Sequence, residues 1–253
     1  MPIQDWTFVD SFAFHDFHGS WIYSLHHALN GGLLPDGYYA MAEQVTGDVG
    51  PDVITLQESN GHDRKPPGNT SGMNGSDSDV MTMAPPLVRF TAEAVPRKPK
   101  LKPRRLTIRH VNRDRIVAIL EIVSRSNKAT RNAVSDFVRK IVAAVNEGIH
   151  AVVIDPFPAT KRDPEGLHAL IWKEIGGSPI ALPAEQPLRL SSYEASEPRR
   201  CYVEPLATGE VIPSMPLYIH ADRYITLPLE ETYQSAFRFV PAKYQSTLFT
   251  TPS

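Results

Sequence analysis

An α/β fold with a mixed sheet is what this chain predicts, and three observations carry the prediction. The segment Ile116-Val117-Ala118-Ile119-Leu120-Glu121-Ile122-Val123 is a short apolar run rich in β-branched residues, which reads as a strand covered on both faces. A helical pattern follows from about Thr130 to Glu147, with Val134, Phe137, Val138, Ile141, Val142 and Val145 on one face and Gly148 placed as its stop. Directly after it comes a second apolar run, Ile149-His150-Ala151-Val152-Val153-Ile154-Asp155. Strand, helix and strand of these lengths imply a parallel pair joined by a right-handed crossover. With 253 residues, 42% of them hydrophobic, the chain is long enough for one substantial core, predicted as a single domain over 1–253.

The other elements fall around this centre. Residues 18–31 read as the first helix, with Trp21, Ile22, Leu25, Ala28 and Leu29 at helical spacing and Gly31-Gly32 as a stop. Tyr38 to Asp48 leads through Glu43 and Val45 toward a strand over Pro51–Leu56. Residues 59–79 are mostly Gly, Asn, Ser, Asp and Pro without hydrophobic period, a composition that cannot offset its ordering entropy. Together with the Pro-rich basic stretch after it, this predicts a flexible insertion over 59–103, with a short strand inside Val80–Phe90. Leu106–Val111 and the turn Asn112-Arg113-Asp114 suggest a hairpin with the Glu121 strand. In the last third, Leu167–Ile175 and Leu229–Phe237 read as helices and Arg200–Glu204 and Leu217–His220 as short strands. Prolines separate them, so this part is expected to form a Pro-rich extension wrapped on the core.

Composition narrows the function classes. The one cysteine, Cys201, excludes an intramolecular disulfide and Cys-rich zinc sites. The start Met1-Pro2-Ile3-Gln4-Asp5-Trp6 lacks a basic region followed by a long apolar stretch, and nowhere do about 18 apolar residues run together. A cytoplasmic protein without a membrane span is the expectation. Net charge is -2, but Arg97–Arg115 holds nine Lys or Arg against one acid, Asp114. Such a strap can neutralise the phosphates of DNA or RNA. It is broken by Pro99 and Pro103 and has no aromatic residue for base stacking, so a solvated linker is the competing explanation.

The chemistry centres on Glu121. Side chains alternate along a strand, so Glu121 shares its face with Ile119 and Val123. A carboxylate there is costly unless paired, hydrogen-bonded or bound to a metal. A second acid, Asp52, stands at the start of the upstream strand behind Pro51. Two acids on neighbouring strands can hold one divalent cation, and Glu43 is a candidate third ligand. Each has a plainer explanation: an arginine partner for Glu121, a turn cap for Asp52, an exposed position for Glu43. Asp155 ends a parallel strand, the edge where α/β sites open, yet Asp155-Pro156 also serves as a turn. His15, His18, His26 and His27 read as packing or hydrogen-bonding residues. Ser124, Ser126 and Asn127 suit phosphate contact at a helix start, or capping alone. No Gly-rich phosphate loop, Gly-x-Ser-x-Gly elbow or His-Glu-x-x-His pattern occurs.

The order helix, Asp at a strand start, Glu on a later strand, helix, strand resembles the PD-(D/E)XK nuclease-like superfamily, whose core is an αβββαβ unit. Closer still, several blocks are similar to the DUF4058 family, a bacterial family of unknown function. They are Phe17-His18, Tyr38-Tyr39-Ala40 with Glu43, Pro51-Asp52-Val53, Leu120-Glu121-Ile122-Val123-Ser124 with Asn127-Lys128, and Gly148-Ile149-His150 with Ile154-Asp155. The Glu-x-x-Ser segment also resembles Uma2-type endonuclease-like proteins of the same superfamily. The resemblance implies a metal-dependent phosphodiesterase acting on nucleic acid, with Asp52 and Glu121 on Mg²⁺ or Mn²⁺. It also implies a lysine two residues after the Glu, where this chain has Val123. Lysines that move to the neighbouring helix supply the function elsewhere in the superfamily, which makes Lys128 and Lys140 the candidates. Lys140 lies about 130° from the centre of its helix's apolar stripe, which suggests a solvent-facing position. Val123 in place of that lysine favours a catalytically degenerate binding or scaffold protein, while retention of both acids favours the enzyme.

Overall fold

The computed structural model describes residues 2–42, 53–57, 89–94 and 115–250, with 53–57 and 90–94 as backbone. The first helix, α1 (Ser11–Ala28), begins seven residues ahead of the expected start, because the Asp10 carboxylate caps it by accepting from the Ala13 N–H at 2.8 Å. Phe14, Phe17, Trp21 and Leu25 lie on its buried face. It closes in a π-turn over Leu29–Leu33, where Gly32 at φ 120° adopts a conformation open to glycine. Asn30 then holds the first strand, β1 (Tyr38–Ala42). Its amide accepts from the Ala40 N–H at 2.9 Å and donates to the Ala40 carbonyl at 3.0 Å. That satisfies an edge strand with a side chain.

The strands that follow are β2 (Val53–Gln57), β3 (Phe90–Ala94) and β4 (Arg115–Ile122). The helix α2 (Arg131–Asn146) and the strand β5 (His150–Asp155) come next. All six apolar positions expected on α2 are buried, each contributing about 1.5–3 kcal/mol relative to exposure. Thr130 caps the helix start by accepting from the Ala133 N–H at 3.0 Å, and Gly148, at φ 80°, turns the chain into β5. As expected, β4 and β5 pair in parallel, with Glu121 opposite Val153. Both edges of β4 are occupied, by β2 and β5, so its antiparallel neighbour is β2 rather than a hairpin partner. Residues 106–111, expected in that role, lie outside the described residues, as does nearly all of the 59–103 insertion.

The last third runs through α3 (Gly166–Ile175), β6 (Leu188–Glu194), β7 (Arg199–Leu206), β8 (Met215–His220), β9 (Arg223–Leu227), α4 (Leu229–Phe237) and α5 (Ala242–Thr250). It does more than wrap the core. β6 and β7 extend the sheet, which among the described residues has seven strands in the order β1-β2-β4-β5-β6-β7-β3. All pairings except β4 with β5 are antiparallel, so the sheet is mixed. No helix among the described residues is long and apolar enough to cross a membrane.

The sheet has two buried faces. On one, Leu120, Ile122, Val152, Ile154, Leu188 and Leu190 meet α1, α4 and the β8–β9 hairpin. An aromatic stack anchors that layer, with Trp6 and Phe17 at 4.1 Å between ring centroids. The Tyr233 hydroxyl accepts from the Gln4 N–H at 3.0 Å and from Trp6 Nε1 at 3.2 Å, tying the N-terminal segment to α4. On the other face, Ile119, Val123, Ala151, Val153, Tyr193 and Cys201 meet α2 and α3. Alternation puts Glu121 on this second face.

Candidate functional site

Glu121 lies one residue before the end of β4, 2% exposed, beneath α2. Its Oε2 is 2.8 Å from Lys140 Nζ, and the Lys140 side chain is 11% exposed. The expected solvent-facing position of Lys140 is therefore wrong. Its Cα sits off the centre of the apolar stripe, but the four-carbon stem reaches back under the helix. The ammonium also lies 5.1 Å from the centroid of the Phe137 ring on the preceding turn. An acid and an ammonium thus meet on the sheet, with the lysine arriving from the helix that follows the acid's strand.

Asp52 and Glu43 lie outside the described residues. The nearest described point is Val53, the first residue of β2, which pairs with Leu120, the neighbour of Glu121. Among the described residues, no three His, Cys, Asp or Glu side chains gather as a metal site would require. Glu121 alone does not hold a divalent cation, so any fit to Mg²⁺ or Mn²⁺ depends on acids from the 43–52 segment.

Lys128 occupies a different cluster. The turn Arg125–Lys128 that follows β4 is closed by a capping box, in which the Ser124 N–H and hydroxyl both donate to Asn127 Oδ1 at 2.8 Å. That geometry accounts for Ser124 and Asn127 without a ligand; the Ser126 hydroxyl meets that of Ser124 at 2.6 Å. Arg125 fastens the turn by donating to the Trp6 carbonyl. Lys128 is thereby directed inward, 4% exposed. Its ammonium donates to Asp155 Oδ2 at 2.7 Å and to the carbonyls of Phe157 and Pro158, and lies 3.1 Å from Asp163 Oδ2. Asp163, fully buried, also accepts from the Thr160 N–H at 2.9 Å. One cation serves two buried carboxylates. Burial pushes Asp155 up to about 6, against the opposing pull of Lys128. A cavity of about 210 Å³ lined by Asp155 and Arg189 opens beside this cluster. These residues stand at the C-terminal edge of the parallel pair, where α/β sheets open their sites.

His18 and His26 make structural contacts. His18 Nε2 is 3.0 Å from the Ile122 carbonyl, joining α1 to the end of β4. His26 contacts the Asn30 amide at 3.0 Å. Of the Arg97–Arg115 strap, Arg115 alone belongs to the described residues.

Asp163 and Arg189 were not signalled by the sequence. Asp163 sits in Thr160-Lys161-Arg162-Asp163-Pro164, which has the composition of an exposed turn. Its acid directly after a basic pair gives no sign that a lysine 35 positions earlier needs a second partner. No family model, curated protein or solved structure matches the chain.

Proposed function

We propose that this chain is a nuclease-like α/β protein that hydrolyses nucleic-acid phosphodiesters with Mg²⁺ or Mn²⁺. The observation that carries this reading is the Glu121–Lys140 pair at 2.8 Å. It brings a buried acid and a helix-borne lysine together although the position after Ile122 holds Val123. The succession α1, β1, β2, β4, α2, β5 supports it as well, since it follows the αβββαβ order with β3 set at the far edge. So does the resemblance of the Glu121 segment to DUF4058 and Uma2-type sequences.

In this reading Asp52 supplies the second carboxylate. It precedes Val53 in the chain as Glu121 follows Leu120, and Val53 and Leu120 are partners. Asp52 and Glu121, with Glu43, would hold the cation, which supplies Lewis-acid polarisation of the phosphate when bound. Lys140 balances the charge of Glu121 and offers a compact ammonium to a phosphate oxygen. Lys128, with four partners of its own, fixes the loop after β5 in support of the site. The Arg97–Arg115 strap draws the polyanion in.

The test has two parts. Mg²⁺ or Mn²⁺ raises the melting temperature of the parent and leaves Asp52→Ala and Glu121→Gln unmoved, because only a species that binds the folded state stabilises it. Metal-dependent nicking of supercoiled plasmid is present in the parent and lost in Glu121→Gln and Lys140→Met. A parent that neither responds to metal nor cuts plasmid sinks the hydrolase.

One observation favours a second reading, a binding or scaffold protein of the same fold. The Glu121–Lys140 pair is closed and buried, 2% and 11% exposed, and complete without any ligand. Under that reading Glu121→Leu combined with Lys140→Met keeps or raises stability, as replacement of buried ion pairs by apolar residues often does, and nothing is lost in metal response.

A further inference from the structure

At the opposite end of the parallel pair, where β4 and β5 begin, a cavity of about 300 Å³ is lined by Arg115, His150, Ser196 and His220 together with Val117 and Ile219. No Asp or Glu is among the described residues that line it. Arg115 is exposed and has no hydrogen bond or ion pair among the described residues. His150, the first residue of β5, is 5% exposed and its ring packs 5.8 Å from that of Tyr218.

The tautomer of His150 is set by its surroundings. The Ala195 N–H donates to its Nδ1 at 3.0 Å, which places the proton on Nε2. Burial first, and the His220 charge second, hold the ring neutral by lowering its pKa to about 4. The Nε2–H therefore remains a fixed donor, and it has no partner among the described residues. The nearest acid on the neighbouring strand is Glu194, whose carboxylate accepts from the Tyr202 hydroxyl at 3.1 Å and pairs with Arg200 at 3.4 Å. Its Oε1 is buried without a hydrogen-bond partner among the described residues, and Glu194 is not among the residues that line the cavity.

The geometry points to a binding site for a small organic anion, a carboxylate or a phosphate monoester, with its charged head between Arg115 and His150 Nε2–H and its apolar part along Val117 and Ile219. A planar guanidinium fits either oxyanion with two parallel hydrogen bonds. A neutral imidazole donor adds direction. At the low end of ligand-pocket volumes, about 300–1,000 Å³, the cavity of about 300 Å³ suits a single ring or a short chain. This site stands apart from Glu121 and does not rest on the hydrolase reading.

Titration calorimetry of the full chain with phenyl phosphate, benzoate and phenol tests it. Either anion binds and phenol does not; the tighter of the two identifies the head group. Arg115→Gln, an exposed substitution, weakens that binding at least about tenfold, a loss of one good charge-assisted contact, and His150→Phe does the same. Should His150→Phe fail to fold, the His150 ring ¹⁵N resonances of the parent supply the second measurement, and Nε2 moves on adding phenyl phosphate. Failure of both anions to bind, equal binding of phenol, or unchanged affinity in Arg115→Gln overturns the proposal.

Discussion

Replacing Lys128 by Met removes the ammonium that pairs with both Asp155 and Asp163, 4% and 0% exposed. The thioether approximates the volume of the stem, so the change is chiefly electrostatic. Breaking a buried pair from one side costs about 3–5 kcal/mol, because the remaining charge is left uncompensated. The pH dependence follows from Asp155, which burial holds at about 6 against an ordinary value of 3.8. A raised carboxyl contributes stability that is complete below 3.8 and lost as pH rises through about 6. That shift corresponds to about 3 kcal/mol already forfeited by the parent at neutral pH. Without the pull of Lys128, Asp155 rises further, so the deficit of Lys128→Met is largest near pH 8 and shrinks toward pH 5. Urea unfolding of parent and variant at both pH values measures it. A deficit below about 1 kcal/mol, the range of an exposed pair, or one that does not change with pH, refutes the reasoning.

Other expectations follow from named contacts. In a double-mutant cycle of Glu121→Gln and Lys140→Met, chemical denaturation yields a coupling of about 0.5–3 kcal/mol; additive effects would mean that the two groups do not interact. Tyr233→Phe leaves the Gln4 N–H and Trp6 Nε1 without their acceptor, at about 1–3 kcal/mol for each buried donor, and calorimetry should show a lowered melting temperature. His168, whose Nδ1 is 2.9 Å from the Tyr193 hydroxyl, is lowered to about 4 by burial and, less, by Arg189. A depressed histidine contributes stability above its ordinary value of 6.5 that is lost as pH falls through about 4. His168→Gln therefore flattens the stability profile of the chain between those limits, and an unchanged slope would contradict the assignment.

The parallel centre of the fold was legible in the sequence because its signals are local and strong. The stripe from Val134 to Val145 has one period, Gly148 ends it at φ 80°, and the β-branched runs on either side leave no alternative to strands. The face of Glu121 followed from alternation alone. What pattern could not convey was set by long-range packing. Lys140 looked exposed because a helical wheel tracks Cα positions, whereas its stem bends toward a carboxylate supplied by β4. Lys128 was read as a candidate for the Glu121 site because its partners, Asp155 at the end of β5 and Asp163 beyond it, are brought to it only by the fold. The last third looked like a wrapping because prolines interrupt it. Yet β6 was hidden in Leu188–Glu194, where Arg189, Ser191 and Ser192 mask a strand whose seven residues are nearly all buried. Asp52 and Glu43, the other acids of the proposed centre, are carried by the sequence reading alone.

The most direct measurement is anomalous diffraction from a crystal grown with Mn²⁺. The account predicts a manganese peak bonded to carboxylate oxygens of both Asp52 and Glu121, at about the 2.0–2.1 Å of octahedral oxygen ligation or slightly more, with Lys140 moved aside yet still near Glu121. A map with no manganese at Glu121, its carboxylate still closed on Lys140 and Asp52 directed elsewhere, would contradict it.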